Sequence, residues 1–117
     1  MKLISQELID AIERERQRQE QKFPGQKLPA TSVQRWSAIP GTEGDEACRD
    51  AGVVPESKIK EACDERPDWS RVLVEEVSEA ISAAGRGDAD HACKELIEVA
   101  AVAIRFHDAL RRGECGL

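Results

Sequence analysis

The chain contains 117 residues, of which 17 are basic and 23 are acidic, so its formal net charge is −6. Hydrophobic residues make up 40% and aromatic residues only 3%, which predicts one small domain over residues 1–117 with an aliphatic core. This composition favours helices and argues against an all-β sandwich or barrel. The acidic balance also argues against general nucleic-acid binding, which requires a basic surface.

The apolar segments are short, and none approaches the roughly 18 residues that span a bilayer. The first residues become polar too early for a signal peptide. We therefore expect no membrane partner and a cytoplasmic location. The cysteines form no Cys-x-x-Cys pair, which favours reduced thiols over a zinc or redox site; they are Cys48, Cys63, Cys93 and Cys115.

The first predicted helix covers residues 3–22. Ile4, Leu8 and Ile12 recur every four residues and give its first three turns an apolar face. The second half, residues 13–22, is charged or amide-bearing throughout. That pattern is typical of a solvated helix with local ion pairs, and the alternative is a position at the rim of a site.

Residues 23–67 contain all five prolines and predict a long connection rather than a second domain. Within it, residues 42–48 and 55–65 could form short helices that begin at a threonine and a proline. A connection of this length is usually functional or disordered. Its few hydrophobic side chains, Trp36 and Ile39, suggest that it is held against the rest of the chain.

The strongest helical signal begins after Asp68, a candidate N-cap. Apolar side chains then follow helical spacing, at Trp69, Val72, Leu73, Val77, Ala80, Ile81 and Ala84. The glycines at 85 and 87 end this helix, and Asp88 opens a last helix that runs to about Arg112. Residues 96–106 are apolar almost all round, which predicts burial on most sides by the same chain or by another subunit.

Each of these two helices carries a pair of glutamates three residues apart, Glu76 with Glu79 and Glu95 with Glu98. The short turn makes the helices antiparallel neighbours. At about 1.5 Å per residue, Glu79 is level with Glu95 and Glu76 with Glu98, within about 2 Å. Relative to the apolar stripe, Glu76 faces inward and Glu75 mostly outward.

Four converging carboxylates would repel one another and lose hydration. A divalent cation offsets both costs, and oxygen-only ligands suit Mg²⁺ or Mn²⁺ rather than zinc or copper. Any one of these glutamates could be an ordinary exposed residue, but two matched pairs beside one turn favour a metal site. A ferritin-like di-iron site would need Glu-x-x-His pairs. The nearby histidine, His91, either supports Glu95 or is a surface residue of the first turn.

The pattern Glu75-Glu76-x-x-Glu79, followed by Glu95-x-x-Glu98, resembles the MazG-like all-α nucleoside triphosphate pyrophosphohydrolases. Residues 14–22 also approximately match the Arg-x-Arg-Gln-x-x-Lys stretch of small MazG-like proteins. One departure is Glu98, which stands where most of the family has aspartate and could change the number of metals bound. The other is the connection over residues 23–67, which is longer than in the compact members.

The resemblance implies Mg²⁺-dependent hydrolysis of a (deoxy)nucleoside triphosphate to the monophosphate and pyrophosphate, in a homodimer or homotetramer. It places the metal at Glu76, Glu79, Glu95 and Glu98. It gives catalytic roles to Glu75 and Glu76, with Glu75 as an auxiliary ligand or a water-orienting carboxylate. The expected fold is an all-α helical hairpin, completed by the N-terminal helix and the short helices into a four-helix-bundle-like domain.

Candidate substrate contacts follow from this hypothesis. The cations that could neutralise phosphate oxygens, or be solvated surface charges, are Lys22, Lys94 and Arg105. The aromatic rings that could stack on a base are Trp36, Trp69 and Phe23, although Trp69 begins the apolar stripe and is better explained as a core residue. The alternative function is a non-catalytic helical module that pairs through its last helix and retains the acidic motif without turnover.

Overall fold

The computed structural model describes residues 2–31 and 41–116, and over these ranges the chain is helical with no strand. The predicted all-α class is confirmed. Trp36 and Ile39 lie outside the described residues. The helices are α1 (Gln6–Lys22), α2 (Glu43–Asp50), α3 (Glu56–Glu65), α4 (Trp69–Gly85) and α5 (Ala89–Arg111).

The two long helices begin at the predicted caps. The side chain of Asp68 accepts a hydrogen bond from the backbone N–H of Arg71, and Asp88 accepts one from that of His91. These bonds satisfy N–H groups that lack a partner inside the helix. Gly87, with a φ of 77°, forms the turn between α4 and α5, because glycine adopts this left-handed conformation without steric cost. The caps and the turn together fix the register of the glutamate pairs.

The central helix is α4, which packs against α5, α2 and α3. Small residues let α2 and α4 approach closely. A Cβ atom added to Gly85 would lie 2.5 Å from Cβ of Ala47, and one added to Gly44 would lie 2.2 Å from Oγ of Ser82. The second half of the long connection is therefore folded onto the hairpin.

The buried hydrophobic core is made of small and aliphatic side chains, as the composition predicted. The thiol of Cys48, in α2, also donates a hydrogen bond to the carbonyl oxygen of Ser78 in α4, at 3.3 Å. The buried hydrophobic residues are Ala47, Cys48, Ile59, Ala80, Ala83, Ala92, Val102 and Ala109.

The expectation that the N-terminal helix completes the bundle is not met within the described part of this chain. No residue of α1 is buried, and α1 has no packed interface with another helix of the described chain. The side chains of Ile9 and Ile12 are 40% and 44% exposed. Only the first three turns of α1 offer apolar side chains, so packing gains little there. In the charged half, Arg18 pairs with Glu15 at 2.6 Å, as expected for a solvated helix.

The last helix is buried along one side only. Its buried positions are Ala92, Glu95, Val102 and Ala109, whereas Leu96 is 56% exposed and Ile97 is 72% exposed. The expectation of burial on most sides is therefore not met by this chain alone, and burial by another subunit remains a prediction. Over the described ranges, no helix combines the length and the apolar character needed to cross a bilayer.

Candidate metal centre

The turn between α4 and α5 brings four carboxylates together. One carboxylate oxygen from each of the four residues lies within 4.8 Å of the others, and these residues are Glu76, Glu79, Glu95 and Glu98. A spacing of three residues places both glutamates of a pair on one helical face. The antiparallel hairpin then turns the two faces toward each other, as the count from the turn predicted.

Two oxygens in this cluster are buried without a hydrogen-bond partner, Oε2 of Glu76 and Oε2 of Glu95. The whole Glu95 residue is only 8% exposed. A buried carboxylate oxygen without a partner is costly, because it has lost water and gained nothing in exchange. A hard divalent cation takes such oxygens as ligands. The donor set therefore fits Mg²⁺ or Mn²⁺.

The cluster also holds protons more tightly than ordinary glutamates do. Burial raises the pKa of Glu76 to about 7, helped by a hydrogen bond to Glu98 and by the charge of Glu98. Burial likewise raises the pKa of Glu79 to about 8, helped by a hydrogen bond to Glu95 and by the charge of Glu76. The hydrogen bonds that help to raise these two pKa values thus lie within the two pairs that the sequence placed at equal heights.

The pKa of Glu95 is shifted in the opposite direction, below its ordinary value. Burial acts to raise the pKa of its carboxyl group, but hydrogen bonds from Glu79, Glu98 and His91 outweigh burial and lower it. Nε2 of His91 lies 3.1 Å from Oε1 of Glu95. Both interpretations of His91 are therefore seen, because its ring contacts Glu95 and the residue is exposed in the first turn of α5. Glu95 is therefore the ionised member of the cluster, and the neighbouring groups donate hydrogen bonds to it.

Glu75 lies outside the four-carboxylate cluster. It accepts a hydrogen bond from the thiol of Cys63 in α3, which raises the pKa of that thiol. Its negative charge still contributes to the raised pKa of Glu76. The side chain of Glu75, which the sequence predicts to point mostly outward, therefore contacts α3.

The three candidate cations lie in different places. The ammonium of Lys22 is 5.5 Å from the centre of the Phe23 ring, on the helix that stands apart from α4 and α5. Lys94 is exposed on α5. The guanidinium of Arg105 is 4.9 Å from the centre of the Trp69 ring. Within the described residues, none of these three cations forms an ion pair with a carboxylate of the cluster.

An aromatic pocket lies at the end of the hairpin that is far from the turn. The rings of Trp69 and Phe106 are 6.2 Å apart between centres and 15° from parallel, and with Arg105 they line an open pocket of about 620 Å³. Sequence reasoning did not single out Phe106. The signal was present, because the count that aligned the glutamates also places residue 69 level with residue 105, one residue before Phe106.

Comparison of the chain with protein-family models, curated proteins and solved structures gives no significant match.

Proposed function

We propose that the protein is a metal-dependent hydrolase that converts a (deoxy)nucleoside triphosphate to the monophosphate and pyrophosphate. The observation that carries this proposal is the convergence of four carboxylates within 4.8 Å, two of which have a buried oxygen without a partner. The substrate class comes from the resemblance of the two glutamate motifs to those of MazG-like enzymes.

In this proposal the metal ligands are Glu76, Glu79, Glu95 and Glu98. A Mg²⁺ or Mn²⁺ ion bound there would polarise the phosphate and lower the pKa of a bound water. The chain itself supplies a partly buried acidic site, in which Nε2 of His91 lies 3.1 Å from Oε1 of Glu95. Glu98 is one methylene longer than the aspartate of the family pattern, and it already shares a hydrogen bond with Glu76.

In the metal-free protein Glu76, with a pKa of about 7, holds a proton near neutral pH, and binding of the cation would release this proton, because a ligating carboxylate must be ionised. Glu75 has an auxiliary role in this scheme. Its charge favours the protonated form of Glu76, and its carboxylate lies beside the thiol of Cys63 in α3.

We also propose that the protein is a homodimer or homotetramer. The exposed side chains of Leu96 and Ile97, together with the unburied apolar face of α1, support this, because contiguous apolar surface commonly marks an interface. The alternative, a non-catalytic helical module, would use the same surface. The cluster favours the enzyme, since pairing of helices does not require four carboxylates that repel one another.

The test is a panel of common and modified nucleoside triphosphates, assayed for pyrophosphate release with and without Mg²⁺ or Mn²⁺. We expect turnover of at least one substrate, and a loss of about 100-fold or more in Glu76→Gln and Glu95→Gln. Glu61→Gln is the matched control, because it removes an exposed carboxylate of α3 outside the cluster. No turnover anywhere, with no stabilisation by either cation, would leave the non-catalytic module as the better hypothesis.

A further inference from the structure

The aromatic pocket offers a flat surface that can receive a planar ligand. The Trp69 and Phe106 rings are 15° from parallel, and the guanidinium of Arg105 lies over the Trp69 ring at 4.9 Å. Nucleic-acid bases stack on aromatic rings and on arginine guanidinium planes. The pocket is open to solvent on one side, so a ligand can enter without rearrangement of the hairpin.

The pocket also lies in line with the four carboxylates. Trp69 precedes Glu76 by seven residues on α4, and Arg105 follows Glu98 by seven residues on α5. Seven residues are nearly two full helical turns, so each pair shares a helical face and is separated by about 10 Å along the axis. This separation is comparable to that between the base and the phosphate chain of an extended nucleotide.

The stretch of α4 between these two features is apolar. Val72 lies one turn after Trp69 and one turn before Glu76, and it also lines the pocket. On α5 the corresponding position is Val102, which is 8% exposed. The aromatic pocket and the acidic cluster are therefore separated by one turn of nonpolar side chains on each helix, Val72 on α4 and the buried Val102 on α5.

We propose that this pocket binds the base of the nucleotide, which stacks against Trp69, Arg105 and Phe106 while its phosphates reach the glutamate cluster. The assignment of the phosphate end rests on the proposed function. The base site gives Arg105 a different role from the phosphate contact predicted from the sequence, because its guanidinium is held over an indole ring about two turns away from the carboxylates.

The first measurement is the fluorescence of Trp69 in a Trp36→Phe variant, which leaves Trp69 as the single tryptophan. The probes are α,β-methylene deoxynucleoside triphosphates and inorganic tripolyphosphate, each with Mg²⁺. We expect the nucleotide analogues to quench the Trp69 emission. Tripolyphosphate has no base, so it should leave the emission unchanged.

The second measurement is calorimetric binding of the same probes to Arg105→Ala in the otherwise native chain. We expect an affinity loss of about 10-fold for the nucleotide analogues and none for tripolyphosphate. Arg111→Ala is the matched control, because it removes another exposed cation of α5 that does not line the pocket. Arg105 is itself exposed, so the variant should fold, and circular dichroism verifies this.

The outcomes separate this inference from the proposed function. Turnover of triphosphates without quenching of Trp69, or equal losses for both probes in Arg105→Ala, would overturn the base site and leave the hydrolase proposal standing. Quenching by nucleotide analogues without pyrophosphate release would support the base site and count against hydrolysis. Absence of both signals would refute both proposals.

Discussion

The carboxyl groups of Glu76 and Glu79 hold protons near neutral pH because they are partly buried among other carboxyl groups. Their pKa values of about 7 and about 8 lie above the ordinary 4.5. In the absence of a cation, the folded chain therefore binds more protons than the unfolded chain at pH values between the ordinary pKa of 4.5 and about 8. Protons thus stabilise the cluster in the metal-free protein, and cations would replace them.

This gives a prediction with a definite sign. The metal-free protein should lose stability as pH rises from about 5 to about 8, since folding raises both pKa values. The lowered pKa of Glu95 acts the other way, but its contribution is lost at pH values below the ordinary 4.5. Urea denaturation in the presence of a chelator, repeated at several pH values, measures the effect.

Two comparisons make this pH experiment decisive. Added Mg²⁺ should stabilise the protein more at pH 8 than at pH 5, because protons compete for the same oxygens. A Glu76→Gln/Glu79→Gln variant should show a much flatter dependence on pH. Stability of the native metal-free chain that is constant or rises over this interval would contradict the raised pKa values of Glu76 and Glu79.

At the scale of the helices, the hairpin depends on close contact between α2 and α4. Gly85 accepts this contact because it has no Cβ atom; an added Cβ would lie 2.8 Å from the carbonyl oxygen of Glu43 as well as 2.5 Å from Cβ of Ala47. A backbone atom and a short side chain cannot move aside as a flexible side chain can. The contact therefore determines where α2 lies beside the turn that carries the glutamates.

We accordingly expect Gly85→Ala to lower the free energy of unfolding by about 1–3 kcal/mol, the usual cost of overpacking. Helix propensity alone predicts that the free energy of unfolding rises by up to about 1 kcal/mol, because alanine favours a helix more than glycine does. Chemical denaturation measures the change. Ala100→Gly, at an exposed position of α5, measures the effect of helix propensity by itself. If Gly85→Ala stabilises the protein, α2 and α4 are not in close contact.

The starts of the long helices can be predicted from the sequence, but the packing between distant helices cannot. The starts of α4 and α5 follow from Asp68 and Asp88, because capping is a local interaction. The packing of α2 on α4 did not follow, because it depends on small residues about 40 positions apart in the sequence. The expected packing of α1 is not seen within this chain, because an apolar stripe does not specify which surface covers it.

At the scale of the whole molecule, the unburied apolar surface predicts assembly. Ile97 is 72% exposed in the most hydrophobic segment of the chain. Ile97→Glu should convert a dimer or tetramer into a smaller species, because a buried charge without a partner opposes association. Light scattering after size-exclusion chromatography measures the mass.

Leu28→Glu is the matched control for assembly, since Leu28 is 74% exposed but lies outside the helices. It should leave the mass of the assembly unchanged. A native chain that is monomeric at all concentrations would contradict the assembly proposal. The metal-site proposal would be unaffected, because all four carboxylates come from one chain.

The sequence by itself determined the parts that depend on neighbouring residues. Helix limits follow from caps and periodicity, and the equal heights of Glu79 with Glu95 and of Glu76 with Glu98 follow from a constant rise on two sides of a short turn. The physical reason is that these properties are set within a few residues. The sequence could therefore predict the acidic cluster before any contact was known.

The tertiary structure decided the parts that depend on contacts between distant residues. The partnerless oxygens of Glu76 and Glu95, the bond between Glu75 and Cys63 and the stack of Arg105 on Trp69 are examples. Burial and the direction of a side chain depend on every helix packed around it. Those features turn four aligned glutamates into a site with its own proton affinities and a neighbouring pocket.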